Sequence, residues 1–185
     1  MSSRTPAPGG PAAPPGVSVL PDTAHLRHVL GQFVTGVCAV STRFETRSGV
    51  RHDAIAVNSF TSVSLDPPLV SMYLRDDSTF LRRVRTSGQW AVSFLGHRAR
   101  SLVGVLTTPA AQRPPVEQAA DWAVGPHTGC LVLPDGPGTL ECALHLTQTL
   151  GDHVLVVGRV LGAVGRDHEP LVFHRGTFTE VAPAR

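Results

Sequence analysis

The sequence contains no lysine, so all 16 of its basic residues are arginine. The lack of lysine excludes Schiff-base chemistry and the phosphate-binding lysine of a Walker-type loop. An excess of one charge is also lacking, since 14 acidic residues leave a formal net charge of only +2. So small an excess creates no dominant positive field, and we therefore expect neither nucleic acid nor anionic lipid as a partner.

Cysteine is scarce and shows no pairing pattern. Cys38, Cys130 and Cys142 form neither a CxxC metal motif nor an even-numbered disulfide framework. Isolated thiols of this kind are typical of a reducing compartment, so the sequence predicts a cytoplasmic protein. No apolar run is long enough to span a bilayer, and no basic segment followed by an apolar one marks a secretory signal. We therefore expect no association with membranes.

The first 21 residues are dominated by proline, glycine, serine and alanine. Such a segment buries too little apolar surface to offset its conformational entropy, so we expect residues 1–21 to form a disordered tail. Order is predicted to begin at Asp22, which suits the N-cap of a helix whose apolar residues recur at helical spacing. The predicted organisation is therefore a tail followed by one domain over residues 22–185.

After this first helix, short β-rich runs alternate with turn residues. The predicted strands cover residues 34–42, 51–60, 68–74, 89–95, 140–149, 153–161 and 171–174, with a turn at 43–49 and helices at 78–86 and 97–106. Residues 107–138, here called the excursion, are rich in proline and glycine, with one expected helical turn at 117–121. Many short strands with few helices favour a mainly β, antiparallel barrel.

Familiar catalytic motifs are lacking, because the sequence contains no HExxH, CxxC or GxSxG pattern, and no residue is assigned to a metal. Two other stretches contain residues that could bind a ligand. The hydroxyl- and amide-rich residues that precede the double proline at 67–68 allow a backbone to approach a flat ligand, but they equally form turns that satisfy their own backbone. The tripeptide Gly151-Asp152-His153 is a hairpin signal that also places a histidine where a second ligand could bind.

Taken in order, these stretches resemble the flavin reductase-like family, whose fold is the FMN-binding split barrel. The resemblance is carried by FVTGV at 33–37, NSFTSVSLDPPLV at 58–70, SGQWAVS at 87–93, GDH at 151–153 and FHRG at 173–176. It implies an antiparallel split β-barrel with a few decorating helices. It also implies an NAD(P)H-dependent flavin reductase that supplies reduced FMN or FAD to a partner monooxygenase, in secondary metabolism.

The resemblance further implies a homodimer with FMN or FAD bound at the subunit interface. The residues implied for this flavin are Asn58, Ser59, Ser62 and Val63 at the ring and ribityl chain, Ser78 and Thr79 at the phosphate, and Arg175 as a further contact. A phosphate at Ser78 is physically reasonable because a helix N-terminus offers free N–H donors and a favourable dipole. His153 is implied as the catalytic residue, on the side from which NADH or NADPH delivers hydride.

Two residues depart from the family's pattern. Ala56 stands where the family commonly has threonine, and Phe80 stands where a threonine usually follows two residues after Ser78. Losing two hydroxyls would remove two hydrogen bonds to flavin, each worth roughly 0.5–1.5 kcal/mol, and would make the pocket more apolar. An alternative therefore stays open, in which the split barrel has lost flavin chemistry and binds or cyclises a small apolar natural-product intermediate.

Overall fold

The structure is a computed structural model that describes residues 22–179 and 181. The tail predicted at 1–21 lies outside these residues. Helix α1 (Thr23–Leu30) begins after Asp22, whose side chain accepts a hydrogen bond from the His25 N–H at 2.7 Å. Asp22 is therefore the N-cap that the sequence predicts, and it satisfies one of the free donors at the start of the helix.

Two further α-helices and twelve strands make up most of the described chain. In chain order these elements are β1 (Thr35–Gly36), β2 (Cys38–Thr46), β3 (Gly49–Val57), β4 (Thr61–Leu65), β5 (Pro68–Arg75), α2 (Thr79–Ser87), β6 (Gln89–Phe94), α3 (Arg100–Thr107), β7 (Ala123–Val124), β8 (Leu131–Val132), β9 (Gly138–Leu150), β10 (His153–Gly165), β11 (Val172–His174) and β12 (Thr177–Thr179). Short 3-10 turns lie at His97–Ala99, Ala110–Gln112 and Val116–Gln118. No helix within 22–179 is both long and apolar enough to cross a membrane.

Seven strands form one antiparallel sheet in the order β3-β2-β6-β9-β10-β5-β4. The two edge strands, β3 and β4, are consecutive in the chain and only residues 58–60 separate them. Four Cα steps span at most about 15 Å, so the end of β3 on one edge of the sheet lies within this distance of the start of β4 on the other edge. The sheet therefore curls on itself as a barrel that is split at residues 58–60, and the predicted mainly β, antiparallel fold is confirmed.

Two apolar clusters support this sheet. The first lies on one face of the sheet, where Phe80, Leu81 and Val84 of α2 pack among strand residues such as Met72 and the fully buried Trp90. The second lies on the other side and joins α3 to the excursion and to β11; its buried members include Leu102, Leu106, Val116, Leu131 and Leu171. The sheet is thus covered on both faces, which accounts for the buried stretches of its central strands.

Several predicted strand boundaries are wrong. The strand predicted at 34–42 is divided, because β1 pairs with β11 whereas β2 pairs with β3 and β6. Strand β2 then continues to Thr46 through the predicted turn at 43–49. The strand predicted at 51–60 ends at Val57, and residues 61–65, interpreted as part of a kink, form β4. The hairpin of β9 and β10 is correctly placed but longer than predicted, with 13 residues in each strand.

The excursion is fixed to the sheet by buried carboxylates. Asp53 of β3 is 4% exposed and accepts hydrogen bonds from Arg113 of the excursion, at 2.6 Å, and from Arg83 of α2. Glu141 of β9 is 6% exposed and accepts from both the backbone N–H and the hydroxyl of Thr128, each at 2.7 Å. The excursion is therefore held near both of its ends, although it contains little regular structure.

Candidate functional site

A cleft of about 540 Å³ opens between β1 and the turn that joins β3 to β4. It is lined by residues 33–38, 58–61 and 94–95, and by Pro137, Pro170 and Leu171. The volume lies within the roughly 300–1,000 Å³ that is usual for small-molecule sites. None of the lining residues carries a formal charge, so the cleft suits an uncharged, largely apolar ring.

Thr35 of β1 supplies an unsatisfied polar group in this cleft. Its hydroxyl is buried and has no hydrogen-bond partner among the described residues. A buried donor left in this state costs about 1–3 kcal/mol, and rotation of the side chain toward the cleft would let a ligand carbonyl or ring nitrogen recover it. The next residue, Gly36, leaves open space, because a Cβ placed there would meet no heavy atom within 4 Å. A flat ring with polar edges, such as flavin, therefore fits the residues present.

Asn58 and Ser59, which the resemblance implies at the flavin ring, line the cleft. The Ser59 hydroxyl donates to the carbonyl of Tyr73 at 3.2 Å and accepts from its N–H at 3.1 Å, so it holds the turn against β5. Ser62 and Val63 lie on β4, where a bulge interrupts the pairing with β5. Both are exposed at the edge of the sheet and neither lines the cleft.

Ser78 and Thr79 lie at the N-terminus of α2, outside the lining of the cleft. The Ser78 hydroxyl accepts from the Leu81 N–H at 3.4 Å, as an N-cap does. The Thr79 hydroxyl accepts from the Arg82 guanidinium at 2.7 Å, and Arg82 also donates to the Asp77 carbonyl at 3.1 Å. This helix start therefore combines backbone N–H groups with a guanidinium, a pairing that favours an anion.

His153 begins β10 and lies opposite Arg75 in the pairing of β10 with β5. Its Nδ1–H donates to the Asp152 carboxylate at 2.8 Å, since a carboxylate only accepts. This hydrogen bond and the charge of the imidazole lower the pKa of Asp152. His153 does not line the cleft. On β5, Arg75 is two residues from Tyr73, so the side chains of Arg75 and Tyr73 point to the same, outer face of this strand. His153 therefore shares a sheet face with the strand residue that anchors Ser59.

Arg175 lies in the turn between β11 and β12, with a left-handed φ of 49°. Its Nε–H donates to the Gln32 side-chain carbonyl at 2.7 Å, and its backbone N–H donates to the Gly31 carbonyl at 3.0 Å. These contacts fasten the end of α1 to the β11–β12 hairpin. Arg175 therefore contacts Gly31 and Gln32, the two residues before Phe33. Phe33 lines the cleft, whereas Arg175 does not.

The thiol of Cys38 is the one titratable side chain within this lining, and it is unreactive. Burial raises the pKa of Cys38 to about 12. The nucleophilic form of cysteine is the thiolate, which is negligible at neutral pH when the pKa is that high. The cleft thus offers shape and hydrogen bonds rather than acid, base or nucleophile, and a ligand bound there must carry the reactive group itself.

Comparison with known proteins identifies the family. The family model described as the flavin reductase like domain matches residues 30–182. The chain belongs to this family. It is 35% identical to an NADH-dependent FAD reductase of Streptomyces globisporus over 92% of this chain and 93% of that protein. It is 31% identical to HsaB, the reductase subunit of a flavin-dependent monooxygenase of Rhodococcus jostii, over 88% and 80% of the two chains.

A solved flavin reductase has the same fold. The NADH:FAD oxidoreductase SgcE6 of Streptomyces globisporus, in complex with NAD and FAD fragments, matches with a TM-score of 0.79 and 30% identity over 88% of this chain and 94% of that one. The predicted family, fold and oxidoreductase class are therefore confirmed. The alternative of a split barrel without flavin chemistry is not favoured. The two relatives described above are both named as reductases that act with flavin.

The two departures from the family's pattern do not alter the cleft. Phe80 is 3% exposed and packs into the first apolar cluster, beneath α2. Ala56 packs against the second cluster. Neither residue lines the cleft, so the expectation that they make the pocket more apolar is wrong. The expectation came from the family's pattern, which commonly has a threonine at each of these two places.

Proposed function

We propose that this protein is an NADH-dependent flavin reductase whose flavin ring lies in the cleft. The observation that carries the proposal is the uncharged cleft, whose lining includes Asn58, Ser59 and Thr35, a residue whose hydroxyl has no partner among the described residues. Two of the family's sequence runs, at 33–37 and 58–70, meet around this space. Membership of the flavin reductase-like family supports the same ligand.

The protein's part in the reaction is to bind and orient. A bound flavin supplies the ring that accepts hydride from a reduced nicotinamide, with one proton taken from solvent. Thr35, Asn58 and Ser59 are assigned to the polar edge of the ring. The backbone of residues 62–63, which lies outside the lining of the cleft, is assigned to the ribityl chain. Ser78 and Thr79, with Arg82 beside them, are assigned to the phosphate. Alignment of the two rings, rather than acid–base chemistry, is the main contribution.

The test is the oxidation of NADH by the purified protein with FMN or FAD as acceptor, followed by the loss of NADH absorbance. We expect saturable turnover with at least one flavin, and a rise in melting temperature when that flavin is added. A rate no higher than the reaction of NADH with free flavin, together with an unchanged melting temperature, would contradict the proposal.

Replacing Thr35 by valine is expected to separate flavin binding from stability. The change removes a hydroxyl that has no partner without altering the shape of the side chain, so the free energy of unfolding should stay the same or rise. The KM for flavin should increase about five- to tenfold, because the ring loses one hydrogen bond in a dry site. Thr35→Ser, which keeps the hydroxyl, is the control and should retain the lower KM. A loss of stability in Thr35→Val would show that the hydroxyl has a structural partner.

His153→Ala is expected to act on the nicotinamide rather than on the flavin. We propose that His153, held by Asp152 on the outer face of the sheet, positions the reduced nicotinamide. The KM for NADH should therefore rise several-fold while the KM for flavin changes by less than about twofold. Both constants are obtained from initial rates at saturating concentrations of the other substrate. Equal changes in the two constants would refute this assignment.

We further propose that the protein is a homodimer in which a second copy covers the mouth of the cleft. The apolar side chains of Leu26, Val29, Leu30 and Phe33 recur at helical spacing and are 44–74% exposed. No residue of α1 is buried, and Phe33 also lines the cleft. An apolar face of this kind normally marks an interface. Sedimentation should give twice the monomer mass, and Leu30→Glu should reduce it.

The biological setting is proposed from the relatives and the thiols. HsaB is the reductase subunit of a flavin-dependent monooxygenase, and we propose that this chain likewise passes reduced flavin to a monooxygenase. The three cysteines are buried and free, which suits a cytoplasmic location. We also retain the proposal that residues 22–185 form one domain, which the family match over 30–182 supports.

A further inference from the structure

The outer face of β5 and β10 carries the chain's single tyrosine, Tyr73. On the other face of β5, Met72 is fully buried and Leu74 is 4% exposed, and both belong to the first apolar cluster. Since side chains alternate between the two faces of a strand, Tyr73 and its partner Leu155 point outward. Tyr73 is 42% exposed, and β5, β9 and β10 contain no other phenylalanine, tyrosine or tryptophan.

Tyr73 lies between the residues that are assigned to the two substrates. On one side, its backbone N–H and carbonyl are both hydrogen-bonded to the hydroxyl of Ser59, which lines the cleft. On the other side, His153 is its diagonal neighbour, because His153 pairs with Arg75, two residues further along β5. Diagonal neighbours on one face lie roughly 7–8 Å apart, within reach of an aromatic side chain. A nicotinamide placed between the cleft and His153 would therefore meet the Tyr73 ring.

No cation of the described residues stacks on the Tyr73 ring. Tyr73 takes no part in the aromatic pairs or in the guanidinium–ring contacts of residues 22–179. Arg75, the one cation of β5, instead donates two hydrogen bonds to the Asp77 carboxylate, each at 3.1 Å. The partly exposed ring is therefore available to a cationic ligand, and the nearest guanidinium of its own strand is neutralised by a carboxylate.

An aromatic ring distinguishes the two redox states of nicotinamide by their charge. The reduced nicotinamide ring is neutral. When its C4–H bond breaks, the hydride leaves with both electrons for the flavin, a proton from solvent completes the reduced flavin, and the nicotinamide ring becomes positively charged. The face of a tyrosine ring attracts a cation. A tyrosine against this ring therefore stabilises the oxidised form, and the charge that develops during hydride transfer, more than it stabilises the reduced form.

We propose that the Tyr73 ring packs against the nicotinamide ring and favours its oxidised, cationic form. The inference rests on the proposed function, because it assumes the places given there to the flavin and to His153. It adds a residue that selects the redox state of the nicotinamide, whereas His153 positions the ring in either state. Tyr73 is thus expected both to assist hydride transfer and to make NAD+ an inhibitor that competes with NADH.

Substitution of Tyr73 tests this charge selectivity by binding rather than by turnover. Tyr73→Leu removes the ring and keeps an apolar side chain, whereas Tyr73→Phe keeps the ring and removes only the hydroxyl. The matched control is Leu146→Ala, since Leu146 is 43% exposed and pairs with Val157, on the same face but further from His153. The ligands are NAD+ and the tetrahydro analogue of NADH, whose nicotinamide ring is neutral and donates no hydride. Calorimetry with saturating flavin present gives both affinities.

Tyr73→Leu is expected to weaken the binding of NAD+ about five- to tenfold and that of the neutral analogue less than about twofold. Tyr73→Phe and Leu146→Ala should leave both affinities close to those of the wild type, and all three variants should keep its melting temperature. Unchanged NAD+ binding in Tyr73→Leu, equal losses for the two ligands, or an equal loss in Tyr73→Phe would overturn the proposal. Oxidation of NADH by the wild type tests the reductase function separately, so an active wild type with any of these outcomes refutes only the role of Tyr73.

Discussion

Gly36→Leu is expected to abolish flavin reduction while leaving the fold intact. A Cβ at Gly36 would meet no heavy atom within 4 Å, and the residue lines the cleft, so a leucine can be added without a clash and would reduce the space that we propose for the flavin ring. We expect kcat/KM for flavin to fall by at least about 10²-fold, since small displacements of a reacting group already have effects of this size. Initial rates of NADH oxidation measure the loss.

The control for this substitution is Gly104→Leu. Gly104 lies in α3, outside the cleft, and a Cβ there also meets no heavy atom within 4 Å. The same side chain is thus added at a site where only the helix is affected, and activity should be retained. Circular dichroism and thermal unfolding of both variants should remain close to those of the wild type. Normal activity in Gly36→Leu would show that the flavin binds elsewhere.

Asp53→Ala is expected to destabilise the protein by about 3–5 kcal/mol. The change leaves Arg113, whose side chain is 4% exposed, as a buried cation without its carboxylate, and it also releases Arg83. Removing one partner of a buried ion pair commonly has an effect of this size. Urea denaturation gives the free energy of unfolding. The exposed carboxylate of Asp77, which pairs with Arg75, is the comparison, and Asp77→Ala should change stability little.

A double substitution distinguishes two causes of the expected loss of stability. One is the unpaired charge of Arg113, and the other is a general sensitivity of this site to any substitution. Replacing Asp53 and Arg113 together by leucine and methionine removes the buried cation along with its partner. Because a well-packed apolar pair is often as stable as the ion pair that it replaces, the double variant should recover much of the lost stability. A double variant as unstable as Asp53→Ala would contradict the role assigned to the isolated Arg113 charge.

Features that depend on short stretches of sequence were predicted well. Asp22 caps α1 as predicted, and the helix predicted to start at Ser78 begins there with Ser78 as its N-cap, because capping depends on one side chain and the N–H groups within three residues of it. The turn between β9 and β10 was likewise found, since Gly151 adopts a left-handed conformation there. The ring-binding role of Asn58 and Ser59 stays a prediction, although the structure places both residues in the cleft.

Features that depend on distant parts of the chain were missed. The division of the first predicted strand follows from the pairing of Thr35 with Phe173, which no local pattern reveals. β4 was not predicted because its exposed residues lack the apolar alternation of a half-buried strand, and β5 supplies its pairing. The role that we propose for Thr35 could not be predicted for the same reason, since an unpaired hydroxyl is visible only after folding. The FVTGV run was the one signal available.

The anchoring of the excursion by Asp53 and Glu141 has a consequence for the rate of product release. Because buried carboxylates hold the excursion at two points, we expect it to stay fixed to the domain during turnover. Its motion would then not limit the release of product. Departure then depends on the affinity of the cleft for each redox state of its ligand. In the function that we propose, the rate at which reduced flavin is released is then a property of this protein alone. The monooxygenase that receives the flavin does not have to open the site.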